Sequence, residues 1–369
     1  MRRHYLDNIR WVTVLCVFVY HVLFMYNSVG IKVGQVCSTG AHYWDALLYL
    51  FYPWFMLLLF VVAGVSSRLY LEKHTVKEFF RSRTDKLLVP STLGLFVWCW
   101  AQGWVSMKLS ELSGSSIDVP GAPAPIMYLI MCLSGVSVLW FIQLLWVFSI
   151  VLVLIRKLEK GKLYALCGKA NPLVMVLLAI PVFLSGLVLN TPMITVYRFG
   201  FYGFGFLLGY FVFAHEEVIE RLTKLRFVLA PLAAALGVLY TVFYYGKNYA
   251  DASAHLDVIN SIPAVAFAWT AVLAFFACFK AWFDKETPFS RFMTKKSFGF
   301  YMFHYFGISA AALLIELYLP MPLFMKYLIV TLNGLAVGFA FPEVFGRIPV
   351  VRYLIMGIRK PKAKKKTAK

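Results

Sequence analysis

The sequence predicts an all-α polytopic membrane protein of about ten transmembrane helices, with both termini in the cytoplasm. Of its 369 residues, 61% are hydrophobic and only 14% are charged, which is more apolar surface than a soluble core can bury. Apolar runs of about 20 residues, the length that crosses a bilayer, recur along the whole chain. Basic residues cluster in alternate loops between these runs, as expected for cytoplasmic loops.

Breaks of polar, glycine or proline residues separate the predicted spans. The spans cover residues 9–29, 45–70, 87–107, 136–155, 172–190, 194–214, 227–246, 260–282, 297–318 and 325–345. The first span carries Arg10 and His21 and precedes no small-residue cleavage motif, so we interpret it as a retained helix and not as a signal peptide. Residues 126–135 follow a Gly/Pro/Ser-rich stretch and are expected to form a short interfacial helix.

The distribution of positive charge supports an even number of spans. Of the 36 Lys and Arg residues, 31 fall in the proposed cytoplasmic segments. The five exceptions are Lys32, Lys108, Arg198, Lys247 and Lys326. A missed or extra span in the middle of the chain would move every later loop to the other side and destroy this partition. We therefore expect a transmembrane domain over residues 1–345 and a basic cytoplasmic tail over residues 346–369.

Charge and cysteine content exclude several function classes. The net charge of +19 would suggest a nucleic-acid partner in a soluble protein, but here it lies in loops and is explained by topology, so no nucleic acid is expected. The six cysteines form no CxxC pair and no metal-ligand spacing, so no metal is expected. Cys37 and Cys132 both lie near the predicted outer face, and whether they pair is left open. No Walker loop, GxSxG elbow or HExxH motif is present.

His21 is the most informative residue, because it lies about 18 Å along the first span, well inside the membrane. An ionisable group at that depth indicates a function. Arg10 precedes it by eleven residues, which places both within about 20° of one helix face, and Asp7 lies three residues before Arg10. His21, Arg10 and Asp7 are therefore the candidate catalytic residues. Helix capping by Asp7, a topology signal at Arg10 and an interhelical hydrogen bond from His21 are the alternative interpretations.

The loop before the third span is the second signal. It contains Arg81, Arg83 and Lys86 directly ahead of Leu87-Leu88-Val89-Pro90. Arg83 and Lys86 share a face of a helical turn, and a guanidinium binds phosphate through paired donors. These three residues are the candidate anion-binding site. The alternative is an ordinary positive-inside loop.

Together these features resemble the acyltransferase 3 family of membrane proteins. The resemblance rests on Asp7-Asn8-Ile9-Arg10 followed by His21, on Gly64 near the end of the second span, and on Arg83-Thr84-Asp85-Lys86-Leu87-Leu88-Val89-Pro90. Leu139-Trp140-Phe141 and residues 297–304 match further family signatures. Lys86 stands where a second arginine is usual, which keeps the charge but gives up the bidentate geometry. Residues 5–11 look most like the branch that modifies glucans.

The resemblance implies an O-acyltransferase in the plasma membrane. Such a protein moves an acyl group of the acetyl or succinyl class from cytoplasmic acyl-CoA, its donor substrate, to a hydroxyl of an envelope glycan, lipid or small molecule. His21 would act as the base or as a transient acyl carrier, and Arg83, Lys86 and Arg81 would bind the donor. Whether the protein forms a homo-oligomer is left open.

Several polar residues inside or beside the spans are weaker candidates. His304, Gln143, Tyr301 and Asn333 are candidates for supporting the catalytic residues, for stabilising the oxyanion or for contacting the acceptor. Asp45, Arg198 and Glu316 are candidates for contacting the acceptor near the outer face. Trp44, Trp54, Trp104 and Trp140 are candidates for stacking on sugars. A secondary transporter of a polar or acylated metabolite is the main competing function, and a sensor is a third. Transporters usually contain paired repeats with broken helices, and no matching halves are found.

Overall fold

The computed structural model describes residues 3–29, 34–36, 43–115, 121–189, 197–249 and 257–359. Within these ranges the secondary structure is helical, and no β-strand forms. In chain order the helices are α1 (His4–Met25), α2 (Asp45–Phe51), α3 (Phe55–Leu71), α4 (Val76–Arg83), α5 (Val89–Ser91), α6 (Trp100–Leu112), α7 (Ala124–Ser134), α8 (Trp140–Glu159), α9 (Lys162–Cys167), α10 (Pro172–Leu177), α11 (Ala179–Ser185), α12 (Phe199–Phe211), α13 (Glu216–Thr223), α14 (Arg226–Tyr244), α15 (Ile262–Trp282), α16 (Pro288–Tyr318), α17 (Leu323–Arg347) and α18 (Pro349–Met356). The all-α prediction is confirmed.

Seven helical segments among the described residues are long and apolar enough to cross a membrane. They are His4–Met25, Asp45–Leu71, Ser137–Glu159, Arg226–Tyr244, Ile262–Trp282, Pro288–Tyr318 and Leu323–Arg347. The other three predicted spans coincide with shorter or interrupted helices: 87–107 with α5 and α6, 172–190 with α10 and α11, and 194–214 with α12. The count of ten and the side of each terminus therefore stay predictions. Residues 126–135 fall on the short helix α7.

The third predicted span is interrupted because it contains Pro90. Proline has no N–H to donate to the carbonyl four residues earlier, and its ring crowds that carbonyl. The helical run accordingly widens into a π-helical turn over Thr84–Leu88, just ahead of the proline. A second π-helical turn covers Leu95–Cys99. Such π-helical turns are frequent at functional sites. The first of them contains the predicted donor-binding residue Lys86.

Helices α3 and α12 pack with their backbones in contact. A Cβ atom on Gly64 would lie 2.0 Å from the Phe206 carbonyl oxygen, and one on Gly209 would lie 2.0 Å from the Val61 carbonyl oxygen. Small residues allow this approach, which in a membrane replaces the hydrophobic driving force with close packing. This contact fixes the positions of α3 and α12 relative to each other, on one side of a cavity beside α1.

The C-terminal segment begins as a helix that packs on the bundle. Helix α18 buries Ile355 and Met356, because its apolar side chains can cover the segment after α4. Arg359 then forms an ion pair with Asp85 at 2.6 Å. The first part of the predicted basic tail is thus folded against the protein. Residues 360–369 lie outside the described ranges, as does Cys37, while Cys132 is a buried free thiol.

Candidate active site

Helices α1 and α16 bring two histidines together in the middle of the bundle. The Nδ1 atom of His21 lies 2.9 Å from Nε2 of His304, and the two rings are stacked with centroids 5.2 Å apart. His304 is fully buried. A hydrogen bond of this kind needs one donor and one acceptor, so the tautomer of one ring fixes the tautomer of the other.

The surroundings of His304 assign these tautomers. Its Nδ1 atom lies 3.1 Å from the Phe300 carbonyl oxygen, which can only accept, so Nδ1 carries the hydrogen. The Nε2 atom of neutral His304 is then an acceptor, and His21 donates to it from Nδ1. The remaining ring nitrogen of His21, Nε2, therefore holds a free lone pair. That is the arrangement of an oriented general base.

A cavity of about 120 Å³ adjoins His21. Aromatic side chains make up most of its wall. The lining residues are Val17, Tyr20, His21, Phe24, Tyr52, Phe55, Met56, Val138, Trp140, Tyr202, Tyr249 and Tyr301. The hydroxyls of Tyr20 and Tyr249 are hydrogen-bonded to each other at 2.8 Å. The volume is below the range of about 300–1,000 Å³ that is usual for drug-sized ligands, so the cavity fits a short group and not a whole cofactor or glycan.

Arg10 and Arg83 converge on two neighbouring serines of α3. Arg10 donates from Nη2 to Ser66 Oγ at 2.9 Å, and Arg83 donates from Nη2 to Ser67 Oγ at 2.9 Å. Arg10 also pairs with Asp7 at 3.4 Å. The predicted grouping of Asp7 and Arg10 is thus present in the structure, one face of α1 carrying both of them.

Arg83 is a desolvated cation. Burial, and then the nearby charge of Arg10, lower the pKa of Arg83 to about 10, so the guanidinium keeps its charge at neutral pH. Among the described residues no carboxylate lies within ion-pairing distance of it. The guanidinium groups of Arg10 and Arg83 meet at these neighbouring serines, and positive charge concentrated in one place suits an anion.

Arg81 and Lys86 lie apart from that pair. They line a second cavity, of about 410 Å³, together with Tyr70, Glu78, Ser82, Asp85 and residues 357–359. Arg359, in the wall of this cavity, donates a hydrogen bond to Asp85, and this bond raises the pKa of the Arg359 guanidinium. Tyr70 lines this cavity and also lies near Arg83. Of the three predicted donor-binding residues, Arg83 therefore lies beside Arg10, whereas Arg81 and Lys86 lie in the adjacent cavity.

The weaker sequence candidates differ in their placement. Tyr301 lines the His21 cavity and donates to the Val138 carbonyl at 2.5 Å. Gln143 bonds to Ser91 and Tyr197, and Asn333 donates to the Gly307 carbonyl at 2.7 Å. These last two residues therefore tie helices together and do not line that cavity.

Of the tryptophans proposed for sugar stacking, only Trp140 lines the His21 cavity. Glu316 pairs with Lys326 at 2.6 Å, and Asp45 accepts from the backbone N–H of Ser28 at 3.0 Å. Sequence reasoning missed the tyrosines at positions 20, 52, 202 and 249. Their side chains come from two separate helices, a turn and a loop, so no local spacing groups them.

No group of three His, Cys, Asp or Glu side chains within the described ranges could hold a metal ion. In the comparison with known families, a family described as an acyltransferase domain matches residues 3–341. No curated protein and no solved structure matches the chain.

Proposed function

The chain belongs to the acyltransferase 3 family and is an acyltransferase of the membrane, and from this premise we propose that it carries a short acyl group from acyl-CoA to a hydroxyl. The donor would enter from the cytoplasm, and the acceptor would be a glycan, lipid or small molecule of the cell envelope. The observation that carries the proposal is the His21–His304 hydrogen bond of 2.9 Å, which leaves Nε2 of His21 available as a base beside a small cavity.

In this reaction His21 Nε2 takes the proton of the acceptor hydroxyl. The oxygen forms a bond to the thioester carbonyl carbon, and the carbon–sulfur bond breaks. The CoA thiolate leaves and receives the proton from His21, so the products are an ester and free CoA. His304 acts as a positioning residue, because its Nε2 holds the His21 ring in one tautomer and stabilises the transient imidazolium.

Tyr52 is the strongest candidate for binding the carbonyl oxygen during the attack. Its ring lines the cavity with His21, and its hydroxyl makes no hydrogen bond to any described residue. The Tyr301 hydroxyl already donates to the Val138 carbonyl, so it lacks a free hydrogen for this role. A donor aimed at a developing oxyanion in a water-poor site contributes strongly to catalysis.

The cations near α4 would hold the phosphates of the donor. Arg83 and Arg10 present guanidinium groups beside Ser66 and Ser67, which suits the diphosphate. Arg81 and Lys86 surround the neighbouring cavity of about 410 Å³, which is large enough for a nucleotide end. The thioester arm would then extend along α1 toward His21.

Consumption of acetyl-CoA by the purified protein, with a cell-envelope extract as the source of acceptor, tests the proposal. His21→Ala should lower the rate by about 10²- to 10⁴-fold. His74→Ala is the matched control, because His74 is an exposed histidine that contacts the carbonyl and the ring of Tyr70 and does not line the His21 cavity, so it should leave the rate unchanged. Full turnover by the His21 variant would overturn the assignment of the base. Nothing in the described residues favours the transporter alternative separately.

A further inference from the structure

Arg198 is an arginine buried without a counter-ion. It immediately precedes α12 and is 1% exposed. Its Nη2 donates to the Ile259 carbonyl at 3.3 Å and to the side-chain oxygen of Asn260. Its guanidinium carbon lies 3.9 Å from the centroid of the Phe201 ring. No carboxylate of the described residues pairs with it.

Three buried donor nitrogens in this place have no acceptor among the residues that the structure describes. They are Nε and Nη1 of Arg198 and Nδ2 of Asn260. Buried donors in native proteins are nearly always hydrogen-bonded, and a buried charge is nearly always paired. A site with positive charge and unpaired hydrogen-bond donors is complementary to a small anion that has several acceptor oxygens.

The cluster lies next to the His21 cavity. Tyr202 lines that cavity, and its ring centroid is 5.5 Å from the Arg198 guanidinium carbon. Tyr52, on the cavity wall too, also lies near Arg198. Arg198 therefore lies directly behind the tyrosine wall of the space in which we place the acyl transfer.

We propose that Arg198 and Asn260 form a carboxylate-binding subsite beside this cavity, behind Tyr52 and Tyr202. The inference rests on the proposed function for its role in the reaction. The carboxylate would be either the distal group of a dicarboxylic acyl chain, such as succinyl, or an acidic group of the acceptor. A cation fixed here would select acidic substrates over neutral ones of the same shape.

Binding of free succinate tests the subsite without any turnover. The purified full-length protein should be stabilised against thermal unfolding by sodium succinate, relative to sodium chloride of equal ionic strength. Asn260→Asp is the decisive variant. It keeps the side-chain oxygen that Arg198 already contacts and supplies an internal carboxylate, so the protein should fold but no longer respond to succinate.

Lys247→Gln is the matched control, because it removes an exposed cation of the same predicted face and keeps the carbonyl that accepts from Tyr49. It should respond to succinate as wild type does. The proposal is overturned if wild type shows no succinate stabilisation, or if Asn260→Asp is stabilised as much as wild type.

Turnover then identifies which substrate carries the carboxylate. Rates with succinyl-CoA and with the neutral analogue butyryl-CoA are compared in wild type and in Arg198→Lys, after subtraction of spontaneous hydrolysis. A fall of roughly 10- to 100-fold in the succinyl preference supports the subsite with the carboxylate on the donor. An unchanged preference with loss of succinate stabilisation supports it with the carboxylate on the acceptor. His21→Ala should retain succinate stabilisation, so failure of the proposed reaction is distinguishable from failure of the subsite.

Discussion

Replacing His304 by phenylalanine isolates the contribution of the histidine pair. His304 is surrounded by aromatic rings, with Phe18 at 6.0 Å and Phe300 at 5.6 Å between centroids. A phenyl ring therefore fits the site and keeps the stacking on His21. It removes only the nitrogen that accepts the hydrogen of His21 Nδ1 and the one that contacts the Phe300 carbonyl.

The expected loss follows from one partly buried hydrogen bond of 2.9 Å. Leaving the N–H of His21 without an acceptor costs about 1–3 kcal/mol, which corresponds to roughly 5- to 150-fold in kcat/KM. His21→Ala removes the base itself and should cost more. Because His304 is inferred to act through His21, the double variant should be no slower than His21→Ala alone.

Acetyl-CoA consumption by wild type, the two single variants and the double variant provides the measurement, with thermal melts to confirm folding. His304→Gln should recover part of the rate, since its amide oxygen can accept a hydrogen bond. The reasoning is refuted if His304→Phe retains full turnover. It is also refuted if the losses of the two single variants multiply in the double variant, because the residues would then act independently.

Three further predictions address the donor site, the packing and the topology. Arg83→Lys should weaken CoA binding about tenfold in calorimetric titrations, and more at high salt, because the paired donors of the guanidinium are lost. An unchanged affinity would indicate that the positive charge of this loop serves only to set the membrane topology. Gly64→Ala should destabilise the protein by about 1–3 kcal/mol through a clash with α12. Gly346→Ala is its control and should leave the thermal midpoint unchanged, because a Cβ on Gly346 would lie 3.6 Å from its nearest neighbouring atom. In a cysteine-free background, a cysteine at Ser115 should react with an impermeant reagent in intact cells and one at Lys160 should not; the reverse pattern contradicts the topology.

The sequence was most informative about features that lie within a single helix. The apolar runs, the depth of His21 and its shared helix with Arg10 and Asp7 all follow from 3.6-residue periodicity and from the cost of a polar group in hydrocarbon. The all-α fold and the acyltransferase family are confirmed. Helix length was less predictable, because an apolar run does not reveal where Pro90 widens the backbone into a π-helical turn.

The arrangement between helices could not be predicted from the sequence. His304 was named as a weaker candidate, but its contact with His21 joins positions 283 residues apart. Arg81, Arg83 and Lys86 looked like one cluster from their spacing, whereas in the structure Arg81 and Lys86 line a separate cavity together with residues 357–359. Such contacts depend on tertiary packing, and local propensity carries no information about them.

The shortness of α10 and α11 has a consequence for the lipid around the protein. Together they cover Pro172–Ser185, a length of about 21 Å, against a hydrocarbon layer of roughly 30 Å. Large apolar side chains on this stretch point outward, among them Leu173, Leu177 and Ile180. A membrane in contact with this face is expected to thin locally to match it. Phospholipid headgroups would then lie closer to the membrane midplane beside these helices than elsewhere around the protein.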